Sequence, residues 1–138
     1  MSRPLQLLPL LSILILAGCV TTPANVTGAG TQLETREIQT RAYDTLDKAM
    51  TLRSVIATLQ DLGFTIDQAD AELGTITATR LDQHTMRMTV TVVQKDEQRI
   101  AVRANARIGE NSVTDAATYQ DFFVVLDKAM FLTLHKVD

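Results

Sequence analysis

Four arginines, Arg87, Arg99, Arg103 and Arg107, are the residues of this chain best suited to recognition chemistry. The guanidinium group donates hydrogen bonds in a planar fork that matches carboxylates and phosphates. All four occupy the polar phase of two segments in which apolar and polar residues alternate. The pattern predicts a cationic face that binds an acidic protein or an anionic glycan. A solvated sheet face, whose threonines only favour strand formation, is the alternative.

The residue types needed for catalysis are present but are not grouped for it. A hydrolase needs a nucleophile beside a base, paired carboxylates or a metal cluster. The two histidines, His84 and His135, lie far apart and outside any His-x-x-x-His spacing. The aspartates fall where helix caps and turns use them. We therefore expect no catalytic residue, no metal ligand and no cofactor.

Residues 1–18 have the three parts of a secretory signal. Arg3 gives a positive start, residues 5–16 are mostly apolar, and Ala17 and Gly18 are small residues before a cleavage point. A membrane-spanning helix needs about 20 predominantly apolar residues. The run here is shorter and contains Pro9, which favours a signal that is removed.

The stretch Leu16-Ala17-Gly18-Cys19 resembles the lipobox of bacterial lipoprotein precursors and matches it at each position. The resemblance implies cleavage between Gly18 and Cys19, followed by acylation of Cys19 on its sulfur and on its new amino terminus. Several acyl chains give stable membrane anchoring. Val20, in place of Asp, implies an outer-membrane address, with the domain in the periplasm. A free cysteine after an ordinary signal is the alternative.

The mature chain of about 120 residues has the size of one domain. Removal of Arg3 with the signal leaves 12 of the 13 basic side chains, which against 16 acidic ones gives a formal charge of −4. This charge argues against a nucleic-acid partner, which would require a basic excess. Cys19 is the only cysteine, so no disulfide within the chain stabilises the domain.

Residues 19–33 are predicted to be the lipidated cysteine and a flexible linker, because they are small, polar and aperiodic. The domain then spans residues 34–138 and begins with a strand over Glu37–Tyr43. A helix follows, with an apolar stripe at helical spacing and a cap at Asp44 or Thr45. Gly63 ends it. The stripe consists of Ala49, Leu52, Val55, Ile56 and Leu59.

The remaining strands are predicted from strict alternation. Residues 64–67 and 75–79 form a hairpin around the turn at Asp70–Gly74. A longer pair follows, joined by a charged turn at residues 94–97. Its apolar phase faces the core, and consists of Met86, Met88, Val90, Val92, Ile100, Val102, Ala104, Ala106 and Ile108. The arginines belong to the opposite phase.

A second helix is predicted over residues 115–136, capped by Ser112 or Thr114. Its core stripe is Tyr119, Phe122, Phe123, Leu126, Met130 and Leu134. Val125 and Leu132 extend the apolar surface around the helix, which predicts a protein contact there. Burial beneath neighbouring loops is the alternative.

Two helices and one half-apolar sheet predict an α+β fold, a two-layer sandwich of about five antiparallel strands with both helices on one face. This order is similar to the helix-grip domains of outer-membrane assembly lipoproteins of the BamC type. Residues 57–64 and 119–123 also resemble segments of small Gram-negative envelope lipoproteins, a resemblance that implies no activity.

We expect a lipid-anchored, non-catalytic binding or scaffolding protein of the outer membrane. Its partners are the membrane, through the lipid anchor, and an envelope protein or anionic glycan. An accessory subunit of an outer-membrane assembly or efflux machine is one alternative. An enzyme that acts on cell-wall material is the other.

Overall fold

The computed structural model describes residues 26–135, with side chains from residue 32 onward. The predictions for the signal, Cys19 and Val20 lie outside the described residues. The elements in chain order are α1 (Val26–Ile38), β1 (Thr40–Tyr43), α2 (Lys48–Asp61), β2 (Thr65–Asp70), β3 (Thr75–Leu81), β4 (Thr85–Gln94), β5 (Ile100–Ile108), β6 (Asn111–Ser112) and α3 (Ala116–Leu134).

All six of these strands join one antiparallel sheet in the order β1-β5-β4-β3-β2, and the short β6 pairs with β5. The helices α2 and α3 contact each other and cover one face of the sheet. The predicted α+β two-layer sandwich is therefore confirmed. The structure adds β6 and a third helix, α1, to the predicted elements.

The core lies between the sheet and the two helices, and it follows the alternation of β4 and β5. The buried side chains of these two strands in the predicted inward phase are Met88, Val90, Val92, Ile100, Val102, Ala104 and Ala106. Met86 and Ile108, at the strand ends, are only partly buried. Each fully buried aliphatic side chain contributes about 1.5–3 kcal/mol, so the inward face of the sheet is strongly specified.

Helix α2 begins one residue after its cap, Asp47, whose carboxylate accepts a hydrogen bond from the Met50 amide at 2.8 Å. The predicted caps, Asp44 and Thr45, were wrong because the helix starts at Lys48, where Asp47 is the residue that reaches a free amide. Gly63 follows the helix with φ of +82°, which confirms the predicted left-handed end.

Helix α3 begins after Asp115, whose carboxylate accepts from the Thr118 amide at 3.2 Å. The predicted caps Ser112 and Thr114 were wrong, since Ser112 pairs with β5 as part of β6. The predicted stripe is buried except at Leu134, which ends the helix and is 43% exposed.

Residues 26–38 form α1, where we predicted linker up to residue 33 and a strand from Glu37. The predicted linker is helical from residue 26, and the predicted strand is confirmed only over Thr40–Tyr43. Tertiary contacts hold the end of this helix. Ile38 packs against the core, and the carbonyl of the buried Gln39 accepts a hydrogen bond from the Ala104 amide at 2.8 Å.

The hydroxyl of Tyr119 joins four parts of the fold. It accepts hydrogen bonds from the Gln39 side chain and the Ala106 amide, both at 3.1 Å. It donates to the carbonyl of Val113 at 2.6 Å. Since Tyr119 is fully buried, this network holds the end of α1, β5 and the start of α3 in one arrangement.

Gly74 offers a direct test of the packing between the β2–β3 turn and β4. Its φ is +74°, and an added Cβ would overlap the carbonyl oxygen of Val92. We expect Gly74→Ala to lower the free energy of unfolding by about 1–3 kcal/mol or more, measured by urea denaturation.

Gly109→Ala is the matched control, because Gly109 also has positive φ, +58°, but no atom lies within 4 Å of an added Cβ. It should cost only the backbone strain, about 1–2 kcal/mol. An equal or smaller loss in Gly74→Ala would contradict the close approach to β4.

Candidate anion-binding face

The outward face of the sheet carries the predicted arginines, and we call it the open face. Arg87 on β4 and Arg103 and Arg107 on β5 all lie there with exposed side chains. Helices α2 and α3 pack on the other face, and α1 packs beside β1 and α3. The structure therefore brings three of the four arginines together on a surface that no described helix covers.

Strand register arranges the open face in rows. Arg87 lies directly opposite Arg107, and Arg103 lies opposite Thr91 two rows away. The row between them pairs Thr89 with Asn105. Strand β3 extends the three rows with Thr79, Thr77 and Thr75. A cationic pair, a neutral row of hydrogen-bonding side chains and a single cation thus follow one another along the strands.

The opposed arginines are unusual because like charges directly across a strand pair destabilise a sheet. Within residues 32–135, the side chains of Arg87 and Arg103 make no hydrogen bond and no ion pair. Arg107 donates from Nη2 to the Glu110 carbonyl at 2.8 Å, and the Glu110 carboxylate lies 3.6 Å from the same nitrogen. The Glu110 side chain is fully exposed, so this ion pair neutralises little charge.

A pocket of about 390 Å³ lies around the arginine pair. It is lined by Thr85, Arg87, Thr89, Arg107, Gly109 and Glu110. Glu110 is the acidic residue in this lining, and another acidic residue lies two strands from Arg87. This second residue, Asp67, lies at the bulge of β2 and accepts a hydrogen bond from the Thr79 hydroxyl at 2.6 Å.

Arg99 does not join the open face. It precedes β5 in the hairpin turn, where its Nη2 lies 2.7 Å from the Asp96 carboxylate and its Nε donates to the same oxygen at 2.9 Å. The hydrogen bond from Arg99 holds the pKa of Asp96 below its ordinary value. Arg99 therefore closes the β4–β5 turn, and its charge is already matched.

A second polar cluster, which the sequence did not predict, ties β1 to α3. The Tyr43 hydroxyl donates to one oxygen of the Asp127 carboxylate at 2.8 Å, and Arg41 pairs with the other oxygen. The Arg41 guanidinium also lies 4.8 Å from the centre of the Phe123 ring. A pocket of about 560 Å³ beside the cluster includes Tyr43, Asp127 and Phe131. No local pattern could have found it, because Asp127 is more than eighty residues from its partners.

The two residues of the predicted protein contact on α3 differ in their exposure. Val125 is half-buried, whereas Leu132 is 58% exposed. Val124 and Phe131, seven positions apart on one stripe of α3, are each 59% exposed. No described loop buries Leu132, so the alternative of burial fails for that residue within residues 26–135.

The histidines occupy separate surface positions. His84 is exposed between β3 and β4. His135 ends α3, where its ring stacks on Phe131 with centroids 4.3 Å apart and its Nδ1 lies 2.9 Å from the Phe131 carbonyl. Among the described residues, no group of three or more His, Cys, Asp or Glu side chains could hold a metal ion. None of the helices within this range is long and apolar enough to cross a membrane.

No protein-family model matches this chain, and no curated protein matches it significantly.

The Tyr43–Asp127 hydrogen bond predicts a pH dependence of stability. Burial, and then the hydrogen bond to Asp127, raise the pKa of Tyr43 well above its ordinary value. The unfolded chain releases this proton near pH 10 while the folded protein retains it. The stabilisation is therefore complete below about pH 10 and is lost as the pH rises above that value.

We expect Tyr43→Phe to lose less stability than the parent protein when urea denaturation is repeated from about pH 9 to pH 11. At neutral pH the variant should be less stable by about 1 kcal/mol, because the hydrogen bond is absent. Parallel losses of stability in the two proteins at alkaline pH would show that Tyr43 does not cause the effect.

Proposed function

We propose that this protein is a lipoprotein of the outer membrane whose periplasmic domain binds or scaffolds an anionic envelope partner without catalysis. The observation that carries the proposal is the open face, where Arg87 and Arg103 are exposed and have no partner among the described residues. The resemblance of Leu16-Ala17-Gly18-Cys19 to a lipobox supports the location.

The anchor and the domain are compatible in length. Val26, the first residue of α1, lies seven positions after Cys19. An extended chain of that length spans at most about 25 Å. A lipid on Cys19 would therefore keep the start of α1 within that distance of the bilayer, close to polymers and proteins of the periplasm.

The composition of the open face favours binding over turnover. Its three rows on β3, β4 and β5 carry arginine, threonine and asparagine side chains, which donate hydrogen bonds, and these rows include no histidine or thiol. Arginine retains its charge at any physiological pH and cannot serve as a general base. The three rows can hold an anion in place, and the carboxylates beside them, Asp67 and Glu110, are engaged with Thr79 and Arg107.

An accessory subunit of an outer-membrane assembly or efflux machine is the second candidate. The exposed apolar residues Val124, Phe131 and Leu132 on α3 favour it, because a contact with a larger partner would remove them from water. The two candidates use different surfaces, so substitutions can separate them.

The lipid anchor is tested in cells by substitution at two adjacent positions. Cys19→Ser should abolish labelling with radioactive palmitate and release the protein from membranes, because the acylated sulfur is absent. Val20→Asp should retain the label and move the protein to the inner-membrane fraction. Labelled protein after Cys19→Ser, or unlabelled parent protein in the soluble fraction, would overturn the proposed location.

The open face is tested by crosslinking in cells, followed by affinity capture from membranes. The triple replacement of Arg87, Arg103 and Arg107 by serine should remove partners that the parent protein captures, because it removes the cationic groups. Arg53→Ser is the control, since Arg53 is exposed on α2 in the other layer.

Losses confined to the triple variant would support the open face. An unchanged set of partners would argue against it. If Leu132→Lys alone removed the partners, the accessory-subunit candidate would be favoured.

A further inference from the structure

We propose that the Arg87–Arg107 pair is a subsite for a phosphoryl group on a glycan, and that Arg103 holds a second phosphoryl group of the same polymer. This inference rests on the proposed binding function and specifies its ligand. It follows from the register of β4 and β5 and from the side chains between the two cationic positions.

The Arg87–Arg107 pair places two positive charges at one position of the open face. Residues directly opposite in an antiparallel pair have Cα atoms about 4.5–5.5 Å apart. Two guanidinium forks on such neighbours can converge on one anion. A phosphoryl group has up to two negative charges and three free oxygens, whereas a carboxylate has one charge and two coplanar oxygens. The opposed pair therefore matches phosphate better than carboxylate.

The pocket around Arg87 and Arg107 contains further hydrogen-bond donors. Around the pair, Thr85 and Thr89 add hydroxyl groups to the guanidinium donors. Its volume of about 390 Å³ accommodates a phosphoryl group with part of a sugar. Glu110 is the only acidic residue among those lining it, and its side chain extends fully into solvent. An anion in this pocket therefore meets little competition from a carboxylate for the arginine and threonine donors.

Arg103 is the second cationic position, and its distance from the Arg87–Arg107 pair sets the spacing of the two phosphoryl groups. This residue lies four positions from Arg107 on the same strand, which corresponds to about 13–14 Å. Thr89 and Asn105 occupy the row between the two cationic positions. Hydroxyl and amide groups both donate to and accept from sugar hydroxyls. The order of cation, neutral row and cation suits a glycan in which unphosphorylated sugar lies between two phosphate monoesters.

The same features argue against nucleic acid, the other common phosphate polymer. Proteins that bind single strands stack bases on aromatic side chains. No aromatic side chain lies in the rows of the open face among the described residues. The acidic charge of the whole chain also opposes a general nucleic-acid binder.

The test uses the mature lipidated protein in detergent and isothermal titration with phosphorylated dextran. Unmodified dextran and polygalacturonate, which carries carboxylates, are the comparison polymers. We expect binding to phosphorylated dextran, weaker binding to polygalacturonate and none to dextran. The double variant Arg87→Gln/Arg107→Gln should weaken binding about tenfold or more, and Arg103→Gln should weaken it less, because it removes one charge instead of two.

Arg53→Gln is the matched control, and it should bind as the parent does. Thermal unfolding separates loss of the site from loss of the fold. The double variant should unfold at the same temperature as the parent or a higher one, because a repulsive cross-strand pair is removed.

Equal binding by the parent and the folded double variant would overturn the proposal, as would tighter binding to polygalacturonate. Tighter binding to a single-stranded oligonucleotide would replace the glycan with nucleic acid. If phosphorylated dextran fails to bind while palmitate labelling and arginine-dependent capture persist, the phosphoglycan is wrong and the proposed function stands.

Discussion

The burial of one face of the sheet beneath α2 and α3 is the constraint on which the rest of the structure depends. Val90, Val102 and Leu126 are among the side chains with no exposed surface in this layer. A shift of one residue in β4 or β5 would move the inward apolar side chains of that strand to the open face. Its arginines and threonines would then enter the core, at a cost of many kcal/mol. The register that places Arg87 opposite Arg107 is therefore fixed by the core on the other side of the same strands.

The dependence of the strand register on the core explains how the repulsive Arg87–Arg107 pair persists on a small domain. Opposed like charges cost about 0.2–1 kcal/mol at an exposed position. Each buried aliphatic residue on the other face contributes more than that. A surface on which Arg87 and Arg103 have no carboxylate partner among the described residues is thus compatible with a stable fold. Glu110, which lies 3.6 Å from Arg107, is fully exposed and competes only weakly with a bound anion. Arg99 shows the opposite case, because Asp96 already occupies its guanidinium.

Buried polar links join the elements that the apolar core does not position by itself. The Tyr119 hydroxyl holds the end of α1 and β5 to α3, and the Tyr43–Asp127 hydrogen bond holds β1 to the same helix. Both links involve the part of the fold nearest in sequence to Cys19. In the proposed function, the segment that follows the lipid anchor is therefore fixed to the core by α3, while the open face lies on the other side of the sheet.

The sequence by itself determined the strands β3 to β5, most of the core stripes of α2 and α3, and the end of α2 at Gly63, although Ala49 and Leu134 are exposed. These features depend on periods of two and 3.6 residues or on a single glycine, which are local properties of the chain. Only the tertiary structure decided that α1 replaces the predicted linker, that Arg99 pairs with Asp96, and that Arg87 faces Arg107. A helix held by distant contacts and a strand register depend on free energies from residues that local patterns do not bring together. The pairing of Arg99 with Asp96 is local, and the geometry of the turn decides it.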